Sequence, residues 1–447
     1  MRYRSARTFA ALAATVAVLL TAAPATGASA QPGPAGHGTS LRKVGYFTQW
    51  GIYARAFTVK KLETSGAADQ LTHVNYAFGN VSADGRCYLD GGPGEGDPWA
   101  DYQRPVPAEE SVDGVADQPG QALAGNFHQL AKLKARHPDL KVLISLGGWS
   151  WSTYFSNAAL TDASRKAFVA SCIDLYLRGN LPAAGGSGGP GAAAGVFDGI
   201  DLDWEWPNWP GDVDNVTREA DRENFTKLLA EFRRQLDAYG RQARRHYELT
   251  AFLPANPAAM DAGYEGRKIF KYLDFATVQG YDFHGGWDAV TNQQSALRVP
   301  AGAPDDPDFS VEVAVGGWLD RGAPRDKLVL GIPYYGRGWT GVTGGGNGLF
   351  RPAAAPAPAT YEAGYEDYKL LKELPGKGFT LHRDLRAGHA WLFDGTTLWT
   401  YDDPVVVLQK ALWIRQQRLG GAMIWSLDGD DDNATLSRTI GLGLRTR

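Results

Sequence analysis

Two rhythms share this chain: short apolar runs and longer stretches in which apolar residues recur at three- to four-residue spacing. Residues 43–50 (KVGYFTQW) and 71–80 (LTHVNYAFGN) read as strands. Leu123, Phe127, Leu130 and Leu133 then fall on one helical face, so 121–137 reads as a helix that stops at Pro138. The run 141–148 (KVLISLGG) is apolar almost throughout, as expected of a strand covered on both faces of a parallel sheet. The pairing continues with a helix over 163–178, a strand over 197–207, a helix over 219–239 and strands over 248–253 and 275–283. A helix over 310–319 and a strand over 326–335 follow. Asp403 and Pro404 suit the N-cap and first turn of a helix running to Leu419, with Gly420 as its stop, and 421–427 (GAMIWSL) is the last strand. Eight cycles predict an α/β fold, a (β/α)8 TIM barrel. An open doubly wound sheet is the alternative, but no G-x-G-x-x-G follows the first strand, and polar or aromatic residues gather at the ends of many strands.

Four stretches break the rhythm. Residues 1–30 read as a secretory signal peptide: Arg2, Arg4 and Arg7, then an apolar run over 9–23, then Ala28-Ser29-Ala30 as the cleavage site. That predicts an exported, soluble protein starting at Gln31, with 31–40 as a flexible lead. Residues 84–121 form a long Gly-, Pro- and Asp-rich excursion containing Trp99 and Tyr102, of a length that suits a cleft wall. Residues 183–195 (AAGGSGGPGAAAG) read as a flexible connector. Residues 340–398 lose the alternation and read as a small α+β insertion between the seventh and eighth strands, leaving 41–339 and 399–447 as the barrel.

The formal charge of −4 gives no reason to expect a nucleic acid or a membrane as partner. Fourteen Trp and nineteen Tyr change the picture more, because many lie beside Gly, Pro and Asp in loops, where flat rings suit stacking on sugars. The only cysteines, Cys87 and Cys172, either pair in an oxidising compartment or stay as buried thiols. Neither they nor the histidines, His73 and His284 included, show metal-ligand spacing, and no cofactor is expected.

The most informative stretch is 197–207, FDGIDLDWEWP. At strand period Gly199, Asp201, Asp203 and Glu205 face one side and Ile200, Leu202 and Trp204 the other. Carboxylates two residues apart sit roughly 6–7 Å from one another. In a shielded place they do not all ionise near neutral pH, so one stays protonated and serves as a general acid. A Ca²⁺ or Mg²⁺ site is the rival reading of stacked carboxylates. Asp198 lies off this face and reads as a structural carboxylate at the start of the strand.

The run from Asp198 to Glu205, DGIDLDWE, resembles the DxxDxDxE signature of the family 18 glycoside hydrolases, the chitinases. SLGGWS (145–150), GYD (280–282), YYGRGW (334–339) and GAMIWSLDGD (421–430) resemble further strand ends of that family. The resemblance implies hydrolysis of β-1,4-linked N-acetylglucosamine polymers with retained configuration, the substrate's own acetamide acting as nucleophile. It implies Glu205 as the acid, Asp203 as the group that holds the acetamide nitrogen, Asp201 as its tuning partner and Tyr281 as donor to the acetamide carbonyl. Asp282, Tyr335 and Arg337 would line the cleft. Trp425 would be the floor under the reactive sugar, with Trp50, Trp149, Trp206, Trp287 and Trp399 as stacking platforms.

Gln279 stands where the family usually has methionine, which makes the site more hydrophilic. Alternatives within the same fold are an endo-β-N-acetylglucosaminidase acting on N-glycans, which would want a wider cleft, and a non-catalytic chitin-binding lectin, which usually lacks the acid. The expected partner is chitin or its oligosaccharides, bound by a monomer with no separate chitin-binding module.

Overall fold

In the computed structural model residues 41–89, 95–304 and 309–445 are described. The expected export signal (1–30) and lead (31–40) lie outside the described residues. Eight parallel strands close into a ring: β1 (Arg42–Thr48), β2 (His73–Val81), β3 (Lys141–Gly147) and β4 (Gly199–Asp203), then β5 (Glu248–Leu253), β6 (Phe275–Val278), β7 (Leu328–Pro333) and β8 (Gly421–Trp425). Each strand pairs with the next, and β8 returns to β1 with Arg42 opposite Gly421. This is the (β/α)8 barrel, and the closed ring leaves no strand edge unpaired among the eight.

The pleat of β4 sorts its side chains. Ile200, Leu202 and the following Trp204 are buried, at 1% exposure or less, in the layer between strands and helices. Phe155 stacks on Trp204 with ring centroids 5.4 Å apart. The helix Asp221–Ala243 covers this part of the ring with a buried stripe of Phe225, Leu228, Leu229, Phe232 and Leu236, the spacing of one helical face. It stops where Arg244 turns left-handed, at φ 55°. A second, smaller cluster fills the barrel interior and includes Tyr46, Phe78, Phe252, Tyr281 and Met423.

Several segments differ from expectation. The helix Pro404–Gln417 is capped by Asp403 as expected, but it ends at Arg418, in the left-handed conformation at φ 56°, before Gly420 is reached. Residues 183–195 are not a loose connector throughout. Leu181–Ala184 and Ser187–Gly189 form a hairpin, held where Tyr102 Oη donates to the Pro182 carbonyl (2.9 Å) and the Gly188 N–H to the Ala122 carbonyl (2.8 Å). Cys87, at the start of the long excursion, is disulfide-bonded to Cys172, which resolves the alternative the sequence leaves open.

Between β7 and β8 lies a second, antiparallel sheet. Its order runs Ala355–Pro356, Tyr335–Thr340, Thr397–Tyr401, His389–Phe393, Thr380–Asp384, with Tyr365–Asp367 also paired to Tyr335–Thr340. It therefore reaches beyond 340–398 at both ends. Tyr335 and Arg337 belong to this sheet and not to β7, whose ladder ends at Pro333. Trp339, Leu349, Trp391, Phe393 and Leu398 give the sheet an apolar cluster of its own.

Candidate active site

The inward face of β4 presents Asp201 and Asp203, and Glu205 follows two residues past the end of the strand. Asp201 is fully buried between Ser145 of β3 and Thr250 of β5, its neighbours in register. Ser145 donates to Asp201 Oδ2 at 2.8 Å, Thr250 to Oδ1, and Tyr46 reaches across from β1 to Oδ2 at 2.8 Å. Burial pushes this carboxyl above the ordinary range, and the hydroxyl bonds pull against that push.

Asp203 has no such support. Its Oδ1 is buried without a hydrogen-bond partner. Burial first, then the charges of Glu205 and Asp201, then a hydrogen bond with Glu205 hold its carboxyl well above the ordinary range. Glu205 is raised to about 8, by burial and by the charge of Asp282, while the bond to Asp203 lowers it. The two carboxyls thus share a proton and titrate as a pair.

Asp282 and Tyr281 follow β6. Asp282 adopts φ 58° and is gripped by Arg337, whose Nε and Nη2 donate to its two oxygens at 2.7 and 3.0 Å, and by Tyr335 Oη at 2.7 Å. A bidentate guanidinium fixes the plane of a carboxylate as well as its place. Tyr281 is buried beside the acids. Desolvation, then the charges of Asp203 and Glu205, raise its hydroxyl well above the usual value, so it remains a proton donor. Its hydroxyl lies 4.0 Å from Met423 Sδ. Gln279 Oε1 accepts from the Ala255 N–H at 3.3 Å.

The aromatic residues divide. Trp425 is half-buried, edge-on to Tyr46 (5.2 Å) and stacked on Phe78 (5.7 Å), which brings it to the same end of the barrel as the acids. Trp50 packs on Phe78 at 6.2 Å and remains 39% exposed. Trp287 is 59% exposed with the Arg337 guanidinium 5.0 Å from its ring, and Trp149 stands exposed in the turn after β3. Trp206 and Trp399 are different. Trp206 is buried against Phe252 (5.3 Å), and Trp399 is buried in the core, so both pack the protein and offer little ring face to a ligand.

Asp198 sits at the opposite end of β4. It is bound by Lys134 at 2.8 Å, by Arg245 and by the Val142 N–H at 2.8 Å. Sequence reasoning missed Tyr46 and Thr250, although a hydroxyl on the inward side of an apolar barrel strand is a usable signal. It also missed Tyr365. Tyr365 is a strand residue stacked on Tyr335 at 4.3 Å and lies 5.2 Å from the Arg337 guanidinium. Among the described residues no helix is long and apolar enough to cross a membrane.

Residues 42–430 match the family described as Glycosyl hydrolases family 18. The chain is 41% identical over 397 residues to Chitinase C of Streptomyces lividans, covering 88% of this chain and 58% of that protein. It is 40% identical over 409 residues to Chitinase 63 of Streptomyces plicatus, covering 90% and 60%. It therefore spans about three fifths of the length of these relatives. The catalytic domain of psychrophilic chitinase B from Arthrobacter TAD20 superposes with a TM-score of 0.87 at 48% identity, over 91% of this chain and 95% of that one. A closed barrel with this acidic strand, matched along nearly its whole described length, makes the chain a member of glycosyl hydrolase family 18.

Proposed function

We propose that this protein is an exported chitinase that cleaves β-1,4 linkages between N-acetylglucosamine units with retention of configuration. The observation that carries the reading is Asp203: a buried carboxyl with an unpartnered oxygen, hydrogen-bonded to a half-buried glutamic acid raised to about 8. Such an oxygen wants an N–H donor, and the substrate's 2-acetamido group carries one.

Glu205 gives its proton to the glycosidic oxygen as the bond to the anomeric carbon breaks, and the leaving sugar departs as an alcohol. The acetamide carbonyl oxygen attacks the anomeric carbon from the other face, forming a cyclic oxazolinium-like ion. Asp203 takes the acetamide N–H and offsets the positive charge, while Tyr281 donates to the acetamide oxygen and orients it. Asp201, held by three hydroxyls, keeps Asp203 in register and accepts part of its proton burden. Water then attacks the anomeric carbon, the bond to the acetamide oxygen breaks so that the neutral acetamide is regenerated, and the water's proton goes to Glu205, which restores the acid. Two inversions give net retention.

In this reading Asp282, fixed by Arg337 and Tyr335, contacts the distorted sugar and Trp425 lies beneath it. Gln279 lends the pocket polarity, and Trp50, Trp149 and Trp287 stack on further units of the chain. The second sheet raises one wall of the cleft, which suits a linear polymer. Residues 1–30 direct export, and the protein acts as a monomer.

The test is Glu205→Gln. Chito-oligosaccharide binding is expected to persist while hydrolysis falls about 10²- to 10⁴-fold. Near-normal turnover in that variant defeats the assignment. Incubation of the unaltered protein with chitin oligomers and with a high-mannose glycoprotein separates the substrates, and release of intact glycan without chitobiose would overturn the choice of chitin.

A further inference from the structure

Glu205 has a placement problem that its neighbours on β4 do not. The ladder to β3 ends at Asp203 and the ladder to β5 ends at Leu202, so no adjacent strand holds the Glu205 backbone. Two side chains from loops bind it instead. Ser152, fully buried in the segment after β3, accepts the Glu205 N–H at 2.8 Å. The same hydroxyl lies 2.8 Å from the Gly148 carbonyl and 3.1 Å from the Asp203 carbonyl, so it donates back to the turn that carries it. On the other side Asn215 Nδ2 donates to the Glu205 carbonyl at 2.7 Å.

The loop carrying Asn215 is shaped for this contact. Its Val216 N–H donates to the Thr153 carbonyl at 3.0 Å, which joins it to the segment carrying Ser152. Gly211 passes so close that a Cβ there would lie 2.1 Å from the Glu205 carbonyl oxygen and 2.7 Å from Asn215 Nδ2. Asn215 Oδ1 is buried with no partner, so the amide contributes its donor alone.

We propose that Ser152 and Asn215 are positioning residues that replace the missing strand ladder at Glu205 and thereby fix where its carboxyl is presented. The proposal rests on Glu205 being the acid of the reaction described above. Holding the N–H and the carbonyl of one residue together fixes its φ and ψ, and with them the direction of the side chain. A displacement of about 1 Å in a reacting group costs on the order of a hundredfold in rate. Neither side chain acts on the substrate itself; each acts through the Glu205 backbone.

The experiment uses three variants: Asn215→Leu, which keeps the branched shape without a donor, Asn215→Ala, and Ser152→Ala. Hydrolysis of a soluble chito-oligosaccharide is followed across pH. Each variant is expected to lose kcat by about ten- to a hundredfold with KM within about twofold of the unaltered protein, the pattern of a fault confined to the transition state. The basic limb of kcat should move to lower pH, because a Glu205 that wanders from its enclosed position loses the burial that raises it. A merely structural role moves neither the limb nor kcat per folded molecule.

Unchanged kcat and an unchanged basic limb in Asn215→Leu and Ser152→Ala overturn the proposal. So does a loss that follows only the folded fraction measured by thermal unfolding. Glu205→Gln is run alongside: if it keeps its turnover, the underlying reading of the acid fails whatever the Asn215 variants do. If it is inactive while they are normal, only the positioning role fails.

Discussion

One strand, β4, separates two groups of carboxylates that the protein treats in opposite ways. At its lower end Asp198 lies against Lys134 and Arg245, and the neighbouring Glu248 lies against His73 (2.9 Å) and Lys141. Burial would raise the Glu248 carboxyl, but the bonds and charges of His73 and Lys141 outweigh it and hold it at about 2. At the upper end no cation pairs with Asp201 or Asp203 among the described residues; Asp201 has three hydroxyls, and Asp203 has another acid. The lower carboxylates pair with cations that tie the barrel together, whereas burial pushes those at the upper end above the ordinary carboxyl range. The contrast shows that what a carboxyl does here depends on which neighbours the ring supplies, and little on its place in the sequence.

The contrast can be broken most sharply at Asp203. Asp203→Asn should lower kcat about 10²- to 10³-fold, the usual effect of removing a group that stabilises developing charge. Its effect on stability should have the reverse sign. A carboxyl whose folded-state pKa is raised contributes stability that is lost as pH rises through that pKa, so a side chain with no proton to lose should raise the thermal midpoint at alkaline pH. A lower midpoint at pH 9 would show that Asp203 is structurally supportive after all.

The lower end should answer in the opposite sense. Glu248→Gln is expected to destabilise the fold by about 1–3 kcal/mol, as for a buried charge-assisted hydrogen bond, with kcat per folded molecule unchanged. Because the Glu248 pKa is depressed, its contribution is present above its ordinary value of 4.5 and is lost as pH falls toward about 2. Denaturant midpoints measured over that window should decline in the unaltered protein and flatten in the variant.

A finer test lies at Asp282, whose charge helps to raise Glu205. Asp282→Asn should move the basic limb of kcat below about 8, and a limb that stays in place would remove Asp282 from the electrostatics of the acid. The smallest effect expected is none. EDTA should leave that limb and kcat where they are, since protons and hydroxyls supply the stabilisation at the upper end, and a shift would reveal a bound cation.

Much of the barrel was legible because its strands are apolar runs and its main helix carries a regular stripe. The alternation in 199–205 gave the acidic face directly, since a strand's pleat follows from the backbone alone. What was hidden depends on closure. Tyr46 and Thr250 read as ordinary strand residues until the ring sets them against Asp201, from β1 across the barrel and from β5 beside it. Tyr335 and Arg337 look like the end of β7, and only the antiparallel pairing of Arg337 with Thr400 reveals that a new sheet has begun. The burial of Trp206 and Trp399 was equally out of reach, because a tryptophan before a proline, as at 206, or within a short strand, as at 399, reads alike in a wall and in a core. Arg418 ended a helix where Gly420 was the better candidate, because it takes up the left-handed geometry two residues earlier.

The position of the antiparallel sheet also has a consequence for synthesis. The ring is completed only by β8, which leaves the ribosome after the whole second sheet. Until then β1 and β7 have no outer neighbour, and open parallel edges are prone to wrong pairing. The stretch beginning at Tyr335 continues from β7 with scarcely a break and finds its antiparallel partners within 355–401, all made before β8, so a nascent molecule can fold that excursion while it waits for its closing strand.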